Sequence, residues 1–150
     1  DTMDVSAFSF VDAANRSAKL MTNGGSMVTL TYLGSERTIP NYNVMGVAKA
    51  ALEASMRYIA RDLGPANIRV NAISAGPIRT LAAAGISSGR HMFSFNRKAS
   101  PLRDDTDPAG VAGAALYLLS DLGLSCTGET LHVDAGFHIV GMPDEAALKE

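Results

Sequence analysis

Tryptophan is absent from these 150 residues, cysteine occurs once, and the 13 lysines and arginines nowhere cluster into a basic block. The single cysteine, Cys126, excludes an internal disulfide and fits a reducing compartment, hence a cytoplasmic expectation. Such a thiol reads first as apolar filler, with a reactive group as the alternative. A net charge of −2 without a basic stripe gives no sign of a nucleic-acid partner. No apolar run approaches the roughly 18 residues that a membrane helix needs. Internal repeats and low-complexity linkers are missing as well. What is present, 47% hydrophobic and 19% charged residues, is the composition of one globular domain able to bury a core. The chain opens at Asp1 without an initiator Met or a signal-peptide pattern, and DTMDVSAFSF already reads as the lead into a helix. Part of a longer domain is the expectation.

In order, apolar residues at Val5, Phe8, Val11, Ala14, Ala18 and Met21 predict an amphipathic helix stopped by Asn23-Gly24-Gly25. The Phe8, Phe10, Val11 stripe suits core or a subunit interface. Met27 to Tyr32 reads as a strand. A long helix follows from near Asn41 to Gly64-Pro65, a glycine stop followed by a breaker, with Glu53 and Arg57 as a supporting pair four residues apart. Ile68 to Ser74 is a second strand running into Ala75-Gly76-Pro77. Ile78 to Ser100 shows no clean period and reads as a functional loop or lid. Asp107-Pro108 opens a helix to about Ser120, and Glu129 to Val133 forms the last strand. Strands separated by helices predict a parallel α/β sheet, Rossmann-like and doubly wound, of about three strands. In such sheets ligands bind beyond the carboxyl ends, where Tyr32, Ser74 to Pro77 and Asp134 to Phe137 fall. The G-x-G-x-x-G turn of a dinucleotide-binding half occurs nowhere, so the pattern is that of the second half of the domain.

Tyr42 and Lys49 are seven residues apart, almost two helical turns, so both leave one helix face with Met45 between them. A neutral phenol can donate to a carbonyl oxygen that gains charge, and an ammonium nearby favours anions and can hold sugar hydroxyls. Tyr32 adds a second phenol. Spacing alone leaves open a surface lysine beside a half-buried tyrosine, and an ordinary turn at Ala75-Gly76-Pro77. His91, His132 and His138 show no metal spacing, so no metal is assigned, and His132 suits a packed or edge position. Asp104, Asp105 and Asp107 read as a solvated helix entry.

Tyr42-x-x-Met45-x-x-x-Lys49 resembles the signature of divergent short-chain dehydrogenase/reductases; the ordinary Tyr-x-x-x-Lys pattern is absent. The stretches YLGSERTIPNYNVMGVAKAALEASMRYIARDLGPANIRVNAISAGPIRT and DLGLSCTGETLHVDAGFHIVGM are similar to the NADH-dependent enoyl-acyl-carrier-protein reductases of bacterial fatty-acid synthesis. The likeness covers nearly the whole chain but only the C-terminal part of such an enzyme. It implies that NADH delivers hydride to the β-carbon of a trans-2-enoyl thioester, with protonation at the α-carbon. It implies that Tyr42 bonds the thioester carbonyl, that Lys49 holds the nicotinamide ribose, and that Tyr32 is a second active-site tyrosine. Gly76 and Pro77 would form the turn beneath the nicotinamide, with the Ile78 backbone on the carboxamide and Thr80 near the pyrophosphate. Met45, Leu81, Ala82, Ala83 and Ile86 would meet substrate, the last four in a mobile loop within about 78–100. An acyl carrier protein partner and a homotetramer are further implications. Departures fall at Gly89, where a large apolar residue is expected, and at Ser87 and His91, which leave Arg90 as the clearest carrier-facing base. Two alternatives remain at this stage: a related divergent reductase with another substrate, and an inactive, oligomer-forming half-domain.

Overall fold

The computed structural model of the chain describes residues 1–78 and 89–148. Three strands, β1 (Gly25–Thr31), β2 (Ile68–Ala75) and β3 (Thr130–Val133), form a wholly parallel sheet in the order β1-β2-β3. This is the predicted Rossmann-like α/β arrangement, with each strand within two residues of its expected place. β2 is central and buried along most of its length, as a strand covered on both faces must be. Its alternating Ile68, Val70 and Ala72 join Met56 and Ala60 in the main core cluster, against which Phe10, Met21, Met27 and Leu63 pack.

The predicted N-terminal helix is an Asp4–Phe8 π-helical turn running straight into α1 (Ser9–Ala18), three residues shorter than its apolar pattern suggested. Ala7 and Ala14 are its buried positions, whereas Val5 and Phe8 face outward. α2 (Asn43–Leu63) begins two residues later than expected, with Tyr42 as its N-cap rather than a residue of its first turn. Asn41, in a left-handed conformation at φ 61°, turns the chain into that cap; asparagine tolerates the region better than most residues. α2 ends at Gly64 as expected, though not with that glycine in the left-handed region. Gly64 stays right-handed, the chain continues as a 3-10 turn over Gly64–Ala66, and Asn67 takes the left-handed position.

The segment read as an irregular loop over 78–100 contains a helix, α3 (Gly89–Ala99). Met92, Phe95, Asn96 and Ala99 recur at three and four residues, and Asn96 and Ala99 are buried; two glycines and a polar interior hid that period. Phe95 meets Phe137 edge to face at 6.2 Å between centroids. α4 (Pro108–Leu119) starts as predicted, its Asp107 carboxylate accepting from Ala109 N at 2.8 Å. Its C-terminal carbonyls are held by Arg69 on β2, which donates to Leu118 O at 2.6 Å and Ser120 O at 3.0 Å. A short α5 (Glu145–Leu148) follows. Among the described residues no helix is long and apolar enough to cross a membrane.

Candidate active site

The strands are in step. Thr31 pairs with Ser74, and Ala75 with Val133, so Tyr32 leaves the sheet level with Ala75, one residue short of the adjacent Gly76 and Asp134, at the same carboxyl end. Tyr32 is extended and leads into a 3-10 turn over Leu33–Ser35. That turn lies on the start of α2. A Cβ on Gly34 would come within 2.5 Å of the Tyr42 ring, and one on Gly46 within 2.7 Å of the Gly34 carbonyl. Two glycines thus let the turn and helix touch, which brings the Tyr32 and Tyr42 rings to 5.1 Å, edge to face at 74°. A cleft of about 560 Å³ opens between the loop from Ser35 to Asn41 and the first turns of α2, with Tyr42 in its wall.

Burial pushes both tyrosine pKa values up, and for Tyr32 the charges of Tyr42 and Asp134 add to it. Both phenols therefore keep their protons through neutral pH and can donate. Lys49, half-buried two turns along α2, donates from Nζ to the Leu30 carbonyl of β1 at 2.9 Å. An ammonium has three donors, so this bond uses one. Burial pulls its pKa down and the negative Glu53 opposes that. Two protonated phenols and an ammonium at one strand edge can bind an oxygen-bearing ligand and stabilise negative charge growing on a carbonyl oxygen.

Behind them stands a group that the sequence did not single out. Glu53, read from its spacing as a helix-supporting partner of Arg57, is buried, and its Oε1 accepts from Thr31 Oγ1 and Ser35 Oγ, each at 2.5 Å. The available signal was position: Glu53 shares the inward stripe of Leu52, Met56 and Ala60. A second network also went unread. His132 Nε2 meets Glu36 at 2.9 Å, the His132 and His138 rings stack at 4.1 Å, and His138 Nδ1 meets Asp134 at 2.9 Å. Ninety-six residues separate Glu36 from His132, so no local pattern could disclose that pair. Asp134 also accepts from Gly136 N and His138 N, which holds Ala135 and Gly136 in consecutive left-handed conformations.

Gly76 donates its N–H to the Val133 carbonyl at 2.9 Å, and a Cβ there would fall 2.1 Å from Thr106 Oγ1. That buried hydroxyl has no partner among the described residues. Pro77 and Ile78 continue from it, half-buried and outside any helix or strand. Met45 lies with its sulfur 3.7 Å from Ser6 Oγ, tying α2 to the turn before α1. Thr80, Leu81, Ala82, Ala83 and Ile86 lie outside the described residues. Cys126 is half-buried with its pKa raised by burial, which suits filler rather than a nucleophile. Among the described residues no group of three or more His, Cys, Asp or Glu is arranged to hold a metal ion.

Residues 1–138 match the protein family described as Enoyl-(Acyl carrier protein) reductase. The chain is 60% identical over 148 residues to the enoyl-[acyl-carrier-protein] reductase [NADH] 2 of Rhizobium meliloti (strain 1021), covering 99% of this chain and 55% of that protein. The Bacillus subtilis (strain 168) relative of the same description is 54% identical, over 91% of this chain and 53% of its own length. A crystal structure of the Anaplasma phagocytophilum reductase in complex with NAD superposes with a TM-score of 0.89 at 59% identity, over 93% of this chain and 53% of that one. The chain thus spans about half the length of the relatives it matches. With a matched family over most of its length and relatives more than half identical, the chain belongs to the enoyl-acyl-carrier-protein reductase family.

Proposed function

We propose that this chain supplies the Tyr–Lys part of the active site of an NADH-dependent reductase acting on trans-2-enoyl thioesters of acyl carrier protein, in fatty-acid elongation. The observation that carries this is the pairing of Tyr42 with Tyr32 at the strand edge beside Lys49. Tyr42, protonated at neutral pH, donates to the thioester carbonyl and stabilises the enolate oxygen as charge develops there. Tyr32 packs across the enoyl portion and restricts its approach. Lys49 donates to the nicotinamide ribose hydroxyls. NADH, when bound, supplies the hydride that the β-carbon receives. The residues present suit it: Lys49 has donors beyond its Leu30 bond, and the Thr106 hydroxyl, without a partner among the described residues, lies against the Gly76 turn that leads to Pro77 and Ile78. Ile78 would bond the carboxamide through its backbone and Thr80 would approach the pyrophosphate. Met45, Leu81, Ala82, Ala83 and Ile86 would line the acyl path. A cytoplasmic homotetramer completes the reading.

The test is turnover. A chimera in which this chain replaces the matching segment of the Rhizobium meliloti relative should oxidise NADH with a crotonyl thioester and leave simple ketones untouched. Ketone reduction without enoyl reduction would transfer the chain to a related reductase class.

A further inference from the structure

Glu53 places a carboxylate where the inward stripe of α2 otherwise carries Leu52, Met56 and Ala60. It is 5% exposed, and a buried charge is costly unless its oxygens are satisfied. The satisfying donors are Thr31, the last residue of β1, and Ser35, the last of the following turn. They bracket Tyr32. One helical turn back along α2 is Lys49, on the same face. We propose that Glu53 is a positioning residue: its carboxylate fixes the Tyr32 turn against α2 through Thr31 and Ser35 and sets a negative charge beside the Lys49 ammonium.

Hydroxyl bonds to an ionised oxygen are short and strong, and two of them on either side of Tyr32 limit the backbone that carries its phenol. Two hydroxyls need an acceptor here, which an amide oxygen could also supply; the negative charge is what Lys49 adds a use for. Burial works against its charged form, and Glu53 is the charge that opposes burial. Among the described residues, groups near this region include the Leu30 carbonyl on β1, the Tyr32 and Tyr42 phenols, and Asp134 from the end of β3, whose charge acts on Tyr32.

The inference rests on the reductase reading above, and the same chimera tests it. Glu53→Gln keeps an oxygen able to accept both hydroxyls but removes the charge. Lys49 should then lose its proton at lower pH, moving the alkaline limb of both NADH affinity and kcat/KM down by about half a unit or more. Ser35→Ala keeps the charge and removes one tether. It should lower kcat roughly tenfold, the order of one bond to a charged group, with the alkaline limb unmoved. An alkaline limb unchanged in a folded Glu53→Gln protein overturns the charge role. Should that variant not fold, an unchanged kcat in Ser35→Ala overturns the tether. If the unsubstituted chimera turns over no enoyl thioester, the reductase reading itself fails and this role with it.

Discussion

Tyr42 stands one residue ahead of α2, and its carbonyl accepts the first helical bond from Gly46 N at 2.7 Å. On the proposed reading, removing its hydroxyl takes away one charge-stabilising donor. Tyr42→Phe should slow kcat by about 100-fold or more with little change in NADH affinity, read by steady-state kinetics and fluorescence titration of the completed enzyme. Lys49→Ala should do the reverse first: losing bonds from a charged donor should raise the NADH dissociation constant by roughly tenfold or more. Unchanged kinetics in both would remove the site from this face. The seven-residue spacing of Tyr42 and Lys49 was read as two helical turns, whereas Tyr42 caps α2 and only Lys49 lies within it. Glu53 was misread because the same period offered it a helix-supporting partner in Arg57, and only burial distinguishes the two.

At the scale of elements, the contact between the Leu33–Ser35 turn and α2 depends on two missing side chains. Gly34→Ala drives a methyl into the Tyr42 ring, an overpacking that should cost about 1–3 kcal/mol in thermal or chemical unfolding and lower kcat by displacing the phenol. Gly64→Ala is the counterpart. Nothing lies within 4 Å of a Cβ there and the backbone is right-handed, so the substitution should be neutral or stabilise by up to about 1 kcal/mol. A stable, fully active Gly34→Ala protein would show that the turn does not rest on Tyr42. Strands, the Asp107 cap and α2 were legible from local chemistry: β-branched runs, an Asp-Pro start, a clean 3.6 period. α3 was not, because Gly85 and Gly89 break the pattern before Met92 and Phe95 establish it. The His132, His138, Asp134 and Glu36 network was not, because register between distant strand ends brings it together.

At the scale of the molecule, the sheet formed by the described residues has three strands, and Leu30 on edge strand β1 is 55% exposed. The sequence contains no glycine-rich phosphate turn. The 150-residue chain by itself should therefore bind NADH weakly in a titration, and affinity at or below the micromolar range would show that tight binding does not need such a turn.

The in-step register of the three strands also makes the sheet a ruler. Neighbouring strands lie about 4.8 Å apart, so Tyr32, the Gly76 turn and Asp134 are set out at intervals of one strand width along the edge. Those intervals are dictated by peptide hydrogen bonds rather than by any side chain of the site. Interior strand residues can therefore change without altering the gauge, whereas a slip of one residue in β2 would both move the Gly76 turn and invert which of its side chains face the core. The spacing of the site is in this sense inherited from the backbone.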